Sequence, residues 1–212
     1  MPSTEVREAI ERVREVHRRV LDAQLFRGYS GRARALGGTL ALIAAFVLSR
    51  DGYPATAAAH LAGWGITCAA ALLSNYGALG LWLLRDPEAR RDVARLRPAL
   101  APLPAILAGG VFSAALVARG QHDLLFGTWM VIFGLANASS AAYLPRVAWP
   151  MGVYYLSGGT VLLAGADGGF LNPWPMGIVF FAGEWAGGLA FFFVRRPAAT
   201  FGRFFGLGKE SP

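Results

Sequence analysis

Cysteine and histidine are scarce in this sequence: one cysteine and three histidines occur among 212 residues. Cys68 alone can form neither a disulfide framework nor a cysteine metal site within the chain. None of the histidines, His17, His60 and His122, lies deep in an apolar segment, which excludes a haem held by paired axial histidines. These absences predict a protein without cofactor, metal site or catalytic residues.

Charge is equally scarce over long stretches, although 16% of the residues are charged. Nearly all of the charged residues lie outside six apolar runs, and a membrane-spanning helix needs roughly 20 mostly apolar residues. The sequence therefore predicts an all-α, polytopic membrane protein with six transmembrane helices arranged as three hairpins. The runs cover residues 35–49, 57–84, 99–118, 123–144, 147–165 and 174–195.

The basic residues predict the orientation of these helices. The chain has 20 lysines and arginines and a net charge of +7. If the amino terminus is inside, all of them except Arg50 and Arg119 fall on the inner side, which is the bias seen in membrane proteins. Both termini are therefore predicted in the cytoplasm of a bacterial inner membrane. A basic surplus placed in this way orients a protein and contacts anionic lipid, so nucleic acid is not an expected partner.

Residues 1–30 are predicted to form a cytoplasmic amphipathic helix followed by a hinge. Apolar positions in this segment recur at spacings of four and three, which is a heptad seam. One interpretation is a docking surface for a partner or a second copy of the chain. The alternative is a helix that rests on its own loops or on lipid headgroups. The seam consists of Val6, Ile10, Val13, His17 and Val20.

Two further domains follow: the six-helix transmembrane domain at 31–196 and a cytoplasmic tail at 197–212. From Phe201 to Lys209 the tail alternates aromatic rings with two cations. Rings favour the headgroup boundary and cations favour anionic lipid. The sequence thus predicts an interfacial tail, with a tail that has no fixed structure as the alternative.

Glu184 lies at the centre of the sixth apolar run, between Gly183 and Gly187. A carboxylate near the bilayer midplane costs about 2.5–3.5 kcal/mol, so it normally faces a protein interior. No basic counterpart is predicted at that depth, which favours a neutral acid hydrogen-bonded to an asparagine. Counting about 1.5 Å per residue from the inner arginines predicts a midplane polar layer of Glu184, Asn75, Asn137, Tyr154 and Ser157.

Two functions are consistent with these features. The preferred interpretation is a non-catalytic accessory or scaffold subunit of a membrane complex, with membrane lipids and either another membrane subunit or a second copy as partners. The alternative is a small-solute or proton/cation transporter or channel with its pathway along the polar layer around Glu184. Two features weigh against transport. The apolar runs contain one carboxylate and no basic counterpart at its depth. In addition, many transporter sites use broken helices, and no apolar run is interrupted at mid-depth.

Overall fold

The computed structural model describes residues 8, 10–16, 30–85, 97–141, 144, 147–165, 169–195 and 201–206. These residues form helices and turns and contain no strand, which confirms the predicted all-helical fold. Single helical turns occur at Arg97–Leu100, His122–Leu124 and Phe201–Phe204. The six long helices are α1 (Gly31–Leu48), α2 (Ala57–Arg85), α3 (Leu103–Ala118), α4 (Leu125–Ser140), α5 (Ala148–Leu163) and α6 (Trp174–Arg195).

Three of these helices are long and apolar enough to cross a membrane: α1, α2 and residues 174–194 of α6. The chain therefore has helices compatible with a membrane protein. Each of the six helices coincides largely with one predicted apolar run, although α1 begins four residues before its run. α3, α4 and α5 have 16 residues each. A helix of that length extends about 24 Å. Six spans and their orientation stay predictions.

The start of α1 is fixed by Ser30, whose side chain accepts a hydrogen bond from the Ala33 N–H at 3.2 Å. Such a serine cap satisfies one of the amide groups that a helix start leaves without a partner. The Arg34 N–H then donates to the Ser30 carbonyl at 3.1 Å, the first bond of the helical ladder. Arg34 therefore belongs to the first turn of α1 rather than to the segment that precedes it.

The closest packing joins α1 to α6 and α4 to α5, with glycine on both sides of each contact. A Cβ atom added at Gly188 would lie 2.5 Å from the Gly31 carbonyl oxygen, and one added at Gly159 would lie 2.7 Å from the Gly127 carbonyl oxygen. Small residues allow helix backbones to approach this closely. The two helix pairs, α1/α6 and α4/α5, are thus held by backbone-to-backbone contact.

The remaining helices are peripheral. α2 packs along α1 and α3 along α4, whereas α5 and α6 contact each other only sparsely. The two helices of each predicted hairpin, α1–α2 and α3–α4, therefore pack against each other. The two largest interfaces, α1/α6 and α4/α5, join helices that were not predicted as hairpin partners. α2 buries only His60 and Trp64, and α3 buries no residue. Their outer faces carry exposed apolar side chains such as Leu73 and Val111.

The amino-terminal segment is helical over residues 10–16. Within the predicted docking seam, Ile10 and Val13 are exposed, and Glu8 and Arg12 form an exposed ion pair at 3.5 Å beside them. The other three seam residues, Val6, His17 and Val20, lie outside the described residues. The two apolar positions that are described are thus open to solvent, lipid or a partner.

Candidate functional site: a buried polar cluster shared by four helices

Glu184 forms an ion pair with Arg34 in the interior of the protein. Arg34 is 1% exposed and Glu184 is 6% exposed, and the Arg34 Nη2 lies 2.8 Å from the Glu184 Oε1. The expectation that Glu184 has no basic counterpart is wrong. Because Ser30 caps α1, Arg34 lies within the helix and faces α6 instead of preceding the helix. Glu184 is bonded by a guanidinium and a tyrosine hydroxyl instead of the asparagine that the sequence favoured.

Asn137 of α4 provides a second contact of the Arg34 Nη2 atom. Its Oδ1 accepts a hydrogen bond from the same nitrogen at 2.8 Å, and its Nδ2 donates to the Phe133 carbonyl at 2.8 Å. Each end of the amide thus has a partner, and the bond to Phe133 fixes which end faces Arg34. Asn137 is the fourth residue from the end of α4, so the arginine connects the first turn of α1 with the last turn of α4.

Tyr155 of α5 provides the fourth member. Its hydroxyl donates to the Glu184 Oε1 at 2.9 Å, and its side chain is fully buried. We refer to Arg34, Asn137, Tyr155 and Glu184 as the polar cluster. Each residue comes from a different helix, so the polar cluster links α1/α6 to α4/α5. The polar cluster therefore joins the two helix pairs at a place where α5 and α6 otherwise pack only sparsely.

Three glycines make room for the cluster. A Cβ atom at Gly183 would lie 2.5 Å from the Tyr155 hydroxyl oxygen, and one at Gly187 would lie 2.7 Å from the Arg34 Nε. A Cβ at Gly38 would lie 2.8 Å from the Cβ of Glu184. The glycines on either side of Glu184 therefore do more than bring helices together. They admit the tyrosine and arginine side chains that reach the carboxylate.

Aromatic rings surround the cluster. The rings of Phe133, Tyr155 and Phe180 lie 4.8–5.1 Å apart in pairs, and the Arg34 guanidinium carbon lies 5.5 Å from the centre of the Phe191 ring. An apolar shell lowers the local dielectric, which strengthens the interactions within the cluster and makes an unpaired group there costly.

The other three residues of the predicted polar layer lie outside the cluster. Asn75 donates to the Ala71 carbonyl of its own helix at 3.0 Å. Tyr154 is exposed, and its hydroxyl donates to the Val179 carbonyl at 3.0 Å. Ser157 is also exposed. Of the five predicted residues, the structure brings Glu184 and Asn137 together through Arg34, and their depth in a membrane stays a prediction.

Sequence reasoning omitted Arg34 and placed Tyr154 where the structure has Tyr155. A signal for Tyr155 exists in the sequence. Gly152, Tyr155 and Gly159 are spaced by three and four residues, so they share one face of α5, and both glycines mark that face as the one packed against α4. The signal for Arg34 is the serine four residues before it.

The opposite end of the bundle carries a second group of aromatic and ionisable residues. The Phe170 N–H donates to the Asp123 Oδ1 at 2.8 Å, and the Phe170 ring lies 6.3 Å from the His60 ring and 6.1 Å from the His122 ring. Among the residues that the structure describes, no three His, Cys, Asp or Glu side chains are placed to hold a metal ion. His60 and His122 therefore contact Phe170 by aromatic packing, and Asp123 accepts the Phe170 N–H.

The polar cluster is thus an ion pair with two further hydrogen-bonding partners, in a place where water is scarce. Mutual bonds of this kind stabilise helix association. Glu184 could bind a proton or cation on a transport pathway only if it separated from Arg34. Comparison of the chain with protein-family models, with curated proteins and with solved structures gives no match.

Proposed function

We propose that the protein is a non-catalytic integral membrane protein that acts as an accessory or scaffold subunit of a membrane complex. The observation that carries this proposal is the polar cluster. Its charged groups, Arg34 and Glu184, bond to each other at 2.8 Å and to Asn137 and Tyr155. A cluster whose members bond to one another stabilises a helix arrangement, which is what a scaffold needs.

Exposed apolar surface supports the same proposal. The outer faces of α2 and α3 leave large aliphatic side chains such as Ile66, Leu73 and Leu107 exposed. Lipid or a neighbouring membrane subunit would cover these faces. Ile10 and Val13 offer a separate contact outside the bundle, where the seam is exposed.

A companion protein in a fixed ratio is the first expected result. Extraction in native lipid discs should recover the chain with one companion, or with a second copy, at constant stoichiometry. Changing Ile10 and Val13 together to serine should remove that companion, because both apolar seam contacts are lost. The matched control changes Glu11 and Arg14 to serine, because these residues are also exposed on the same helix but lie outside the seam.

Retention of the companion by the Ile10/Val13 variant would show that the seam is not the docking surface. Recovery of the chain alone, at every extraction condition, would contradict the subunit proposal itself. Quantitative mass spectrometry of the purified discs provides both readouts.

The proposal includes six spans with both termini in the cytoplasm. It is supported by the coincidence of one helix with each apolar run and by the distribution of arginine. Short helices can span by local thinning of the bilayer, which accommodates the 16 residues of α3, α4 and α5. The helical turns next to α3 and α4, Arg97–Leu100 and His122–Leu124, add length at those ends.

Labelling of single cysteines tests this orientation. In a Cys68→Ser background, Gly52→Cys and Gln121→Cys should react with a membrane-impermeant maleimide added to intact cells, whereas Ala94→Cys should react only after the cells are opened. The reason is the positive-inside bias, which places the first two positions outside. Labelling of Ala94→Cys in intact cells would overturn the orientation.

A small-solute or proton/cation pathway is the second candidate. It is favoured by one observation: the hydrogen bonds of Asn137 and Tyr155 to the buried ion pair connect two helix pairs that otherwise meet sparsely. Relative movement of the two helix pairs would break these bonds and leave the ion pair open to another ligand. The Glu184 Oε1 atom accepts both the hydrogen bond from Arg34 and the one from Tyr155. Flux through the purified protein in vesicles, abolished in Glu184→Gln protein that remains folded, would favour this candidate over the scaffold.

A further inference from the structure

The turn at residues 201–206 packs back onto the start of α1 and the end of α6. Phe204 is buried, with its ring 5.7 Å from the Trp185 ring and 5.2 Å from the Phe192 ring. A hydrogen bond ties the turn to α1, because the Arg32 Nη2 donates to the Arg203 carbonyl. Phe204 and Arg32 thus hold the 201–206 turn against the bundle from two sides.

The outer side of the 201–206 turn is both aromatic and basic. Phe201 and Phe205 are 55% and 50% exposed, and their rings lie 5.2 Å apart. Arg32 is exposed and bonds to the same turn at the Arg203 carbonyl, with its guanidinium carbon 5.7 Å from the centre of the Phe192 ring. In the described part of the chain, no carboxylate forms an ion pair with Arg32. One guanidinium is therefore bonded to a turn that carries two exposed rings and comes from a distant part of the sequence.

We propose that Arg32 and the 201–206 turn bind the headgroup of an anionic phospholipid. A guanidinium has five N–H donors and matches the geometry of a phosphate group, so the bond from Nη2 to the Arg203 carbonyl leaves donors for the phosphodiester. The apolar face of an interfacial segment, including its phenylalanine rings, is buried at the boundary between headgroups and acyl chains, where Phe201 and Phe205 contact the lipid. The bond to Arg203 orients the guanidinium before lipid arrives.

The same helix offers a matched control at its other end. The guanidinium carbon of Arg50 lies 4.1 Å from the centre of the Phe46 ring, and both side chains are exposed. Arg50 thus repeats the pairing of a cation with a ring without a packed aromatic turn beside it. If charge and one ring were sufficient, both arginines would bind lipid equally.

The melting temperature of the full chain in nanodiscs tests the assignment. We expect discs of phosphatidylcholine mixed with phosphatidylglycerol to stabilise the wild type and Arg50→Gln relative to phosphatidylcholine alone, by mass action of the bound lipid. Arg32→Gln should lose this increment. Native mass spectrometry should show phosphatidylglycerol binding about fivefold weaker for Arg32→Gln than for the wild type.

A second variant, Phe201→Ser with Phe205→Ser, changes two exposed rings and leaves Phe204 in place, so it should fold and also lose phosphatidylglycerol binding. An equal loss in Arg50→Gln, or full binding by Arg32→Gln, would overturn the site. Displacement of phosphatidylglycerol by inorganic phosphate would identify a simple anion site and overturn the lipid assignment.

Discussion

Replacing Glu184 with glutamine is expected to lower the free energy of unfolding by about 3–5 kcal/mol, although the two side chains have nearly the same shape. The change removes the Glu184 carboxylate from the Arg34 guanidinium, which is buried at 1% exposure. Breaking a buried pair by removing one partner is costly because the remaining charge is uncompensated. The loss should be measured by unfolding in mixed micelles of dodecyl sulfate and a mild detergent, monitored by circular dichroism.

A double-mutant cycle separates the ion pair from general disruption. Arg34→Met should cost as much as Glu184→Gln, and the protein with both changes should be more stable than the sum of the two losses predicts. Neither charge then remains alone, and residues in direct contact couple by about 0.5–3 kcal/mol. Strictly additive losses would contradict the pairing of Arg34 with Glu184.

Two neighbouring tyrosines provide an internal comparison. Tyr155→Phe removes the bond from the tyrosine hydroxyl to Glu184 Oε1 and should cost about 1.5–3 kcal/mol, the range for bonds to charged groups. Tyr154→Phe removes an exposed bond to the Val179 carbonyl and should cost about 0.5–1.5 kcal/mol at most. Equal losses would show that Tyr155 has no special role in the cluster.

Local patterns in the sequence predicted the helices well, because apolar runs and their breaks determine where a helix begins and ends. Each run coincides largely with one of α1 to α6. The error at Arg34 is also local: the arginine distribution counts Arg34 among the basic residues before the first span, whereas α1 begins at Gly31 and includes it. Reading Ser30 as a helix cap would have placed Arg34 inside α1 and next to a candidate carboxylate partner.

The partners of each helix were not predictable in the same way. The contact between α1 and α6 joins residues about 150 positions apart, as in the bond from Arg34 to Glu184, and periodicity within one helix carries no information about it. Glycine pairs occur throughout the sequence, which has 27 glycines. Only the folded chain shows that Gly188 meets Gly31 whereas Gly77 meets nothing within 4 Å.

That difference predicts opposite effects for the same substitution. Gly188→Ala places a Cβ 2.5 Å from the Gly31 carbonyl oxygen, and Gly159→Ala places one 2.7 Å from the Gly127 carbonyl oxygen. The obstructing atoms belong to backbone, which cannot rotate away, so each change should cost about 1–3 kcal/mol by overpacking. Gly77→Ala meets open space and should instead stabilise α2 by about 0.5–1 kcal/mol. The same micelle unfolding assay measures all three.

The two destabilising glycine variants should also differ in what they do to the polar cluster. Arg34 and Glu184 both belong to α1/α6, so forcing these helices apart in Gly188→Ala protein should lengthen the ion pair. The coupling energy between Arg34→Met and Glu184→Gln should therefore fall in the Gly188→Ala background. In the Gly159→Ala background the obstruction lies between α4 and α5, and the coupling should be retained. Equal coupling in both backgrounds would mean that the ion pair, rather than the glycine contact, sets the distance between α1 and α6.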